Sequence, residues 1–144
     1  MPEYQSPLPG TQAAMDNPPN LYALHHVSII VSDTKRALGF YHKLLGLGVD
    51  ASRPDLGYPG AWLNINGNQQ IHLLEVPNPE TGLTRPAHGG RDRHLALWST
   101  DLNAIAQRLQ AAGIPISRSQ SGRQALFCRD PDDNAVEIIQ HLPV

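Results

Sequence analysis

The sequence predicts an α+β fold made of two tandem βαβββ modules. Apolar periodicity and turn residues give the same order of elements twice, one strand, one helix and three strands. The spacings inside the two copies agree as well. His26 to Asp33 and His94 to Asp101 are both seven positions, and His26 to Gly46 is twenty against nineteen from His94 to Gly113. His26 to His72 is forty-six positions, against forty-three from His94 to Glu137. A chain of 144 residues, 40% of them hydrophobic, can bury one core and suits a single domain.

Each element has a local reason. Residues 1–20 carry Pro2, Pro7, Pro9, Pro18 and Pro19 among Gln, Asn and Ser. Such a segment buries too little apolar surface to offset its ordering entropy, so a flexible arm is expected there. A single domain over 21–141 is expected to follow, with modules at 24–76 and 93–140. Leu24 to Val31 is apolar and β-branched, the pattern of a buried strand. Asp33 offers an N-cap for a helix through Leu45, with Ala37, Leu38, Tyr41, Leu44 and Leu45 at helical spacing and Gly46 as its stop. Short strands follow near Val49 and over Ala61 to Ile65. Asn66-Gly67 predicts a hairpin turn, with Gln70 to Val76 as the partner strand. Residues 77–92, rich in Pro, Gly and polar side chains, read as a long loop. The pattern then restarts. Arg93 to Ser99 is a strand, Asp101 caps a helix that stops at Gly113, and Ile114 to Ser119 and Ala125 to Arg129 are strands. Asp130 to Asn134 is a turn, and Ala135 to Gln140 is the last strand.

Charge and composition exclude several classes. Eleven Lys+Arg against 13 Asp+Glu leave a net charge of -2, so neither nucleic acid nor anionic membrane is an expected partner. No run approaches the roughly 18–20 apolar residues of a membrane span. Met1-Pro2-Glu3-Tyr4 has no basic start and no apolar run, so no secretory signal is expected. Cys128, the single cysteine, cannot form an intrachain disulfide and reads as a small core residue, which suits a cytoplasmic setting.

The chemistry lies in polar residues inside apolar strands. Side chains alternate across a strand, so His26 shares a face with Ser28 and Ile30, opposite Val27, Ile29 and Val31. His94, Ala96 and Trp98 likewise lie opposite Leu95 and Leu97. His72 stands between Ile71 and Leu73, and Glu137 between Val136 and Ile138. Taken singly, each is an ordinary buried or hydrogen-bonded group. Together, repeat-equivalent His/His and His/Glu pairs on inner faces point to a metal site. Three imidazoles and one carboxylate form a borderline N/O ligand set, and four protein ligands leave one or two octahedral positions for water or substrate. His25 falls on the opposite face, as a packed or supporting histidine. His42 and His141 read as surface residues, and His88 belongs to the loop.

The run LHHVSIIVSD and the helix ALGFYHKLLGL, with IHLLE, RHLAL and DPDDNAVEI in the matching places, resemble the vicinal oxygen chelate superfamily. That superfamily includes glyoxalase I, methylmalonyl-CoA epimerase, extradiol dioxygenases, fosfomycin thiol transferases and bleomycin-binding proteins. The similarity spans Leu21 to about Gln140, and GAWL with IHLL and DPDDNAVEI is most similar to the glyoxalase I-related branch. The resemblance implies curved mixed sheets enclosing a divalent metal, usually in a homodimer. It places the ligands on His26, His72, His94 and Glu137, from one chain or from two. The metals it allows are nickel, zinc, cobalt, manganese and iron.

The activity it implies is that of a metal-dependent lyase or isomerase stabilising an enediolate. Its substrate would be a small dicarbonyl-derived molecule, with glutathione as co-substrate. Glyoxalase I enzymes usually carry Glu or Gln at the second ligand; His72 stands there, which leaves Glu137 the only carboxylate and so the base as well as a ligand. Arg53, Arg85, Arg91 and Arg123 are candidates to hold an anionic substrate through paired hydrogen bonds, and Trp62 to line its pocket. Arg93 alternates off the His94 face and reads as structural. The alternatives are a thiol transferase or dioxygenase using the same pocket, or a non-catalytic binder of bleomycin-resistance type. No equivalent of the transferases' potassium loop is apparent, many extradiol enzymes carry four modules, and the binders generally lack a complete ligand set.

Overall fold

The computed structural model describes residues 19–142. The expected arm falls outside that range up to Pro18. Strands β1 (His26–Ile30), β2 (Gly48–Val49), β3 (Gly60–Ile65) and β4 (Gln69–Leu74) form one sheet, in the order β1-β4-β3-β2. Strands β5 (His94–Ser99), β6 (Ser117–Arg118), β7 (Ala125–Arg129) and β8 (Ala135–Gln140) form the second, in the order β5-β8-β7-β6. In each sheet the first strand runs parallel to the last and the other pairs are antiparallel. The duplicated βαβββ order read from the spacings is the observed one, in the mixed sheets that the resemblance implies.

The caps and turns act where the sequence places them. Asp33 accepts from the Arg36 N–H at 3.0 Å to open α1 (Thr34–Leu38). Asp101 accepts from the Ala104 N–H at 3.0 Å to open α2 (Leu102–Ala111). Asn66 and Gly67 both take positive φ, 48° and 80°, in the three-residue turn 66–68 that joins β3 to β4. Two expectations change. The first helix widens into a π-helical stretch over Gly39–Leu44, where the adjacent Phe40 and Tyr41 are both buried and meet edge to face at 4.8 Å. The strand expected over Ile114 to Ser119 contracts to Ser117–Arg118, because Pro115 has no N–H for a ladder.

One core joins the modules. Val31, Tyr41, Leu63, Ile71 and Leu73 from the first belong to the same buried cluster as Leu109, Leu126 and Val136 from the second. Polar bonds cross between them too. The Tyr41 hydroxyl donates to Asp130 Oδ2 at 2.7 Å, and Asn134 Nδ2 donates to the Ile30 carbonyl at 3.3 Å. Cys128 is buried as expected, and burial pushes its thiol up to about 12. Among the described residues no helix is long and apolar enough to cross a membrane.

Candidate functional site

Strand register decides where the polar residues meet. In the first sheet Ser28 lies opposite His72, and His72 opposite Trp62, with His26 two positions before Ser28. In the second, Ala96 lies opposite Glu137, and Glu137 opposite Phe127, with His94 two positions before Ala96. The two pairs thus occupy the same diagonal places on the two sheets. The core-facing rows, Ala61, Leu63, Ile71 and Leu73 in one sheet and Leu126, Cys128, Val136 and Ile138 in the other, are buried.

A further repeat-equivalent pair, not singled out from the sequence, locks each helix to its sheet. Glu75 Oε1 accepts from the Thr34 N–H at 2.7 Å, and Gln140 Oε1 accepts from the Leu102 N–H at 2.9 Å. Each sits three residues beyond its candidate ligand. The signal was there in the offset, but only the backbone shows what the side chain reaches.

The second-sheet pair could hold a cation. His94 Nδ1 lies 2.9 Å from the Asp92 carbonyl oxygen, which only accepts, so Nδ1 carries the hydrogen. In the neutral ring the lone pair is then on Nε2, 3.3 Å from Glu137 Oε2. Two ligand atoms each about 2.0–2.1 Å from a shared cation stand about 2.9–3.4 Å apart. The donor chemistry and this spacing both fit a divalent metal. Glu137 is only 2% exposed, and its other oxygen accepts from Arg123 Nη2 at 3.2 Å. His88 caps its own turn, accepting from the Gly90 N–H at 3.0 Å, and packs on Phe127 at 5.0 Å beside this pair.

The first-sheet pair is arranged differently. His72 is sandwiched, with His26 stacked at 4.0 Å on one side and Trp62 at 4.6 Å. Lone pairs lie in the ring plane, so two parallel rings do not aim them at one point, and one ring must turn for both to share a cation. His72 Nε2 lies 2.8 Å from Gln70 Oε1. Burial, and then the positive charges of His26, His25 and Arg53, hold its pKa below the usual imidazole value. His25 does not take the opposite face expected of it. It precedes β1, where strand alternation does not apply, and its Nδ1 meets His26 Nδ1 at 2.8 Å. Among the described residues, no three His, Cys, Asp or Glu side chains stand close enough to share one ion.

The arginines divide. Arg123 reaches Glu137. Arg53 donates to the Tyr58 carbonyl at 2.9 Å, lies over the Tyr58 ring at 5.4 Å, and has a buried Nε without a partner. Arg85 is built into the scaffold, bound to Glu80 at 2.5 Å and Asp92 at 3.2 Å. Arg91 ends a 3-10 turn, Gly89–Arg91, and is exposed. Arg93 is structural as expected, held by Glu80 and Asn134.

Asp92 is the residue that sequence reasoning passed over. Its carbonyl holds His94, while its carboxylate, only 7% exposed, takes Arg85 and, at 2.8 Å, Arg129. Burial alone raises its pKa, but the bonds from Arg129 and the Arg93 N–H and the charges of Arg85 and Arg129 outweigh that and lower it. The unfolded chain therefore takes up the proton first, and this increment of stability is lost as pH falls below about 4. Asp92→Asn is expected to cost about 2 kcal/mol at neutral pH and to flatten the acid limb of the stability curve, as urea melts across pH would show.

A family model described as the glyoxalase/bleomycin resistance protein/dioxygenase superfamily matches residues 23–138. The chain belongs to that superfamily. Its similarity to Glyoxylase I 4 of Arabidopsis thaliana is 34% identity over 128 residues, covering 85% of this chain and 72% of the plant protein. The YwkD protein of Bacillus subtilis (strain 168) is 33% identical over 126 residues, covering 83% of this chain and 98% of its own. The crystal structure of a glyoxalase family protein from Bacillus anthracis shares the fold, with a TM-score of 0.69 at 18% identity, covering 88% of this chain and all of that one. The glyoxalase-superfamily fold thus agrees with the duplicated sheets, and the superfamily is generally metal-dependent.

Proposed function

We propose that this superfamily member is a divalent-metal-dependent lyase or isomerase of glyoxalase I type, acting on a small oxygenated substrate such as the hemithioacetal of methylglyoxal and glutathione. The observation that carries the reading is the His94 Nε2–Glu137 Oε2 approach at 3.3 Å, with His26 and His72 at the equivalent register of the other sheet. His26, His72, His94 and Glu137 would hold the metal. A bound divalent cation supplies Lewis-acid stabilisation of the negative charge that develops on two neighbouring substrate oxygens.

Glu137, the only carboxylate of the set, moves the proton from one substrate carbon to the next. Arg123 holds one oxygen of that buried carboxylate, Nη2 to Oε1 at 3.2 Å. Trp62, stacked on His72, and Arg53 would line the substrate pocket. A cytoplasmic setting suits both a free Cys128 and a thiol-conjugated substrate.

The working site is shared between two chains of a homodimer. Each chain carries two separate ligand pairs, and Trp98, on the His94 face, is 69% exposed and available to be covered by a second copy. The test begins with elemental analysis of wild-type protein beside His94→Ala/Glu137→Ala, expecting near-stoichiometric divalent metal in the first and its loss in the second. Hemithioacetal isomerisation is then assayed on His26→Ala/His72→Ala and His94→Ala/Glu137→Ala chains, alone and co-refolded. Each alone should be inactive, and statistical mixing should restore about a quarter of wild-type activity. Absence of metal from the wild type, even after loading with nickel, zinc, manganese or iron, would overturn the enzyme reading. Active wild type with no rescue on mixing would place the whole site within one chain.

A further inference from the structure

We propose that Gln70 sets the tautomer of His72, keeping the ring proton on Nε2 so that Nδ1 carries the lone pair offered to a cation. The proposal rests on the metal reading above, although its argument uses hydrogen bonds alone. Gln70 Nε2 lies 2.9 Å from Asp50 Oδ2 and 2.9 Å from Asn64 Oδ1. Asp50 is held in its ionised form by bonds from the Ser52 hydroxyl and backbone N–H, and then by Gln70 itself. A carboxylate only accepts, so the NH2 end of the Gln70 amide must face Asp50.

That orientation leaves the amide oxygen at 2.8 Å from His72 Nε2. Two acceptors cannot satisfy one another, so Nε2 carries a hydrogen, and in the neutral ring Nδ1 has none. His94 is the reverse case: Nδ1 donates to the Asp92 carbonyl, so in the neutral ring the lone pair is on Nε2. The two half-sites therefore offer opposite ring nitrogens.

Register explains why only the first sheet has this device. His26, Gln70 and Asn64 form one row across β1, β4 and β3, placing two amides beside the histidines. The equivalent row of the second sheet is His94, Ala135 and Arg129, which holds no amide, and His94 takes its partner from its own backbone instead. Gln70 is thus a positioning residue, acting through His72. It does not touch the reacting atoms.

The experiment is nitrogen NMR of 15N-histidine-labelled protein, metal-free and with zinc added, at about pH 8, well above the lowered His72 pKa. The His72 signals are assigned by their loss in His72→Asn. Wild-type His72 should show a protonated Nε2 and an unprotonated Nδ1. Gln70→Met, which removes the acceptor but keeps the side-chain length, should give a mixture of tautomers and bind zinc about tenfold more weakly. Protonation of Nδ1 in the wild type, or an unchanged tautomer in Gln70→Met, would overturn the proposal. If the tautomer responds as expected but neither chain takes up zinc, the role of Gln70 stands and the metal reading fails.

Discussion

Glu137→Gln is expected to lower kcat for the isomerisation by about a thousandfold while leaving the protein folded. The two effects separate because of what surrounds the side chain. Glu137 is buried, with Arg123 Nη2 on one oxygen and His94 Nε2 3.3 Å from the other. A glutamine has nearly the same shape. Its oxygen still accepts from Arg123, and its NH2 can donate to His94 Nε2 when that ring is neutral. Stability should therefore change by less than about 1 kcal/mol, and its sign should favour the variant, because a buried charge is replaced by a satisfied amide.

The chemistry has no such replacement. An amide cannot accept the substrate proton at neutral pH, and it is a weaker ligand than a carboxylate. Steady-state kinetics beside urea melts and metal analysis make the comparison. Turnover within tenfold of the wild type would show that the proton moves through another group.

Asp130→Ala is expected to cost about 3–5 kcal/mol, the largest single loss outside the hydrophobic core. Asp130 is 5% exposed and sits where the modules meet. Its carboxylate accepts from the Tyr41 hydroxyl at 2.7 Å, from Asn134 Nδ2 and N–H, each at 2.9 Å, and from the Asp132 N–H at 2.9 Å. Alanine leaves all four donors without that partner, and most of them are shut off from water. The Tyr41 phenol is held far into its neutral form, first by burial and then by the charge of Asp130 and the bond to it, so it cannot ionise in compensation.

Tyr41→Phe removes one donor and leaves the others bonded, so it should cost only about 1–2 kcal/mol. With a total stability of about 5–15 kcal/mol expected for a domain, the first variant should unfold at a much lower urea concentration and the second slightly earlier. A loss below about 1 kcal/mol for Asp130→Ala would mean that water replaces the carboxylate. The modules would then be joined by their apolar core alone.

Much of the fold was legible along the chain, because the forces that shape its elements are local. Alternation at period two placed Ile71 and Leu73 on one face and His72 on the other. Asp33 and Asp101 are caps because a side-chain oxygen three residues ahead of an N–H reaches it in any helix. Asn66-Gly67 is a turn because both residues tolerate positive φ. The repeated offsets also named the four candidate ligands, since equivalent positions in duplicated modules must fall on equivalent places in their sheets.

What local pattern could not reveal is which atoms those side chains meet. Arg85 and Arg123 look alike in sequence, yet one is bound between Glu80 and Asp92 while the other reaches Glu137. The stack of His26, His72 and Trp62 joins three strands separated by loops of unequal length. The chain from Asp50 through Gln70 to His72 ties the segment after β2 to β4. A face is set by one strand's own pleat, whereas a hydrogen bond of 2.8 Å depends on the register between strands and on rotamers chosen by every neighbour. The sequence by itself determined the modules, their faces and the candidate ligands. Only the tertiary structure decided that those ligands stand as two separate pairs, with one pair spaced for a cation and the other stacked.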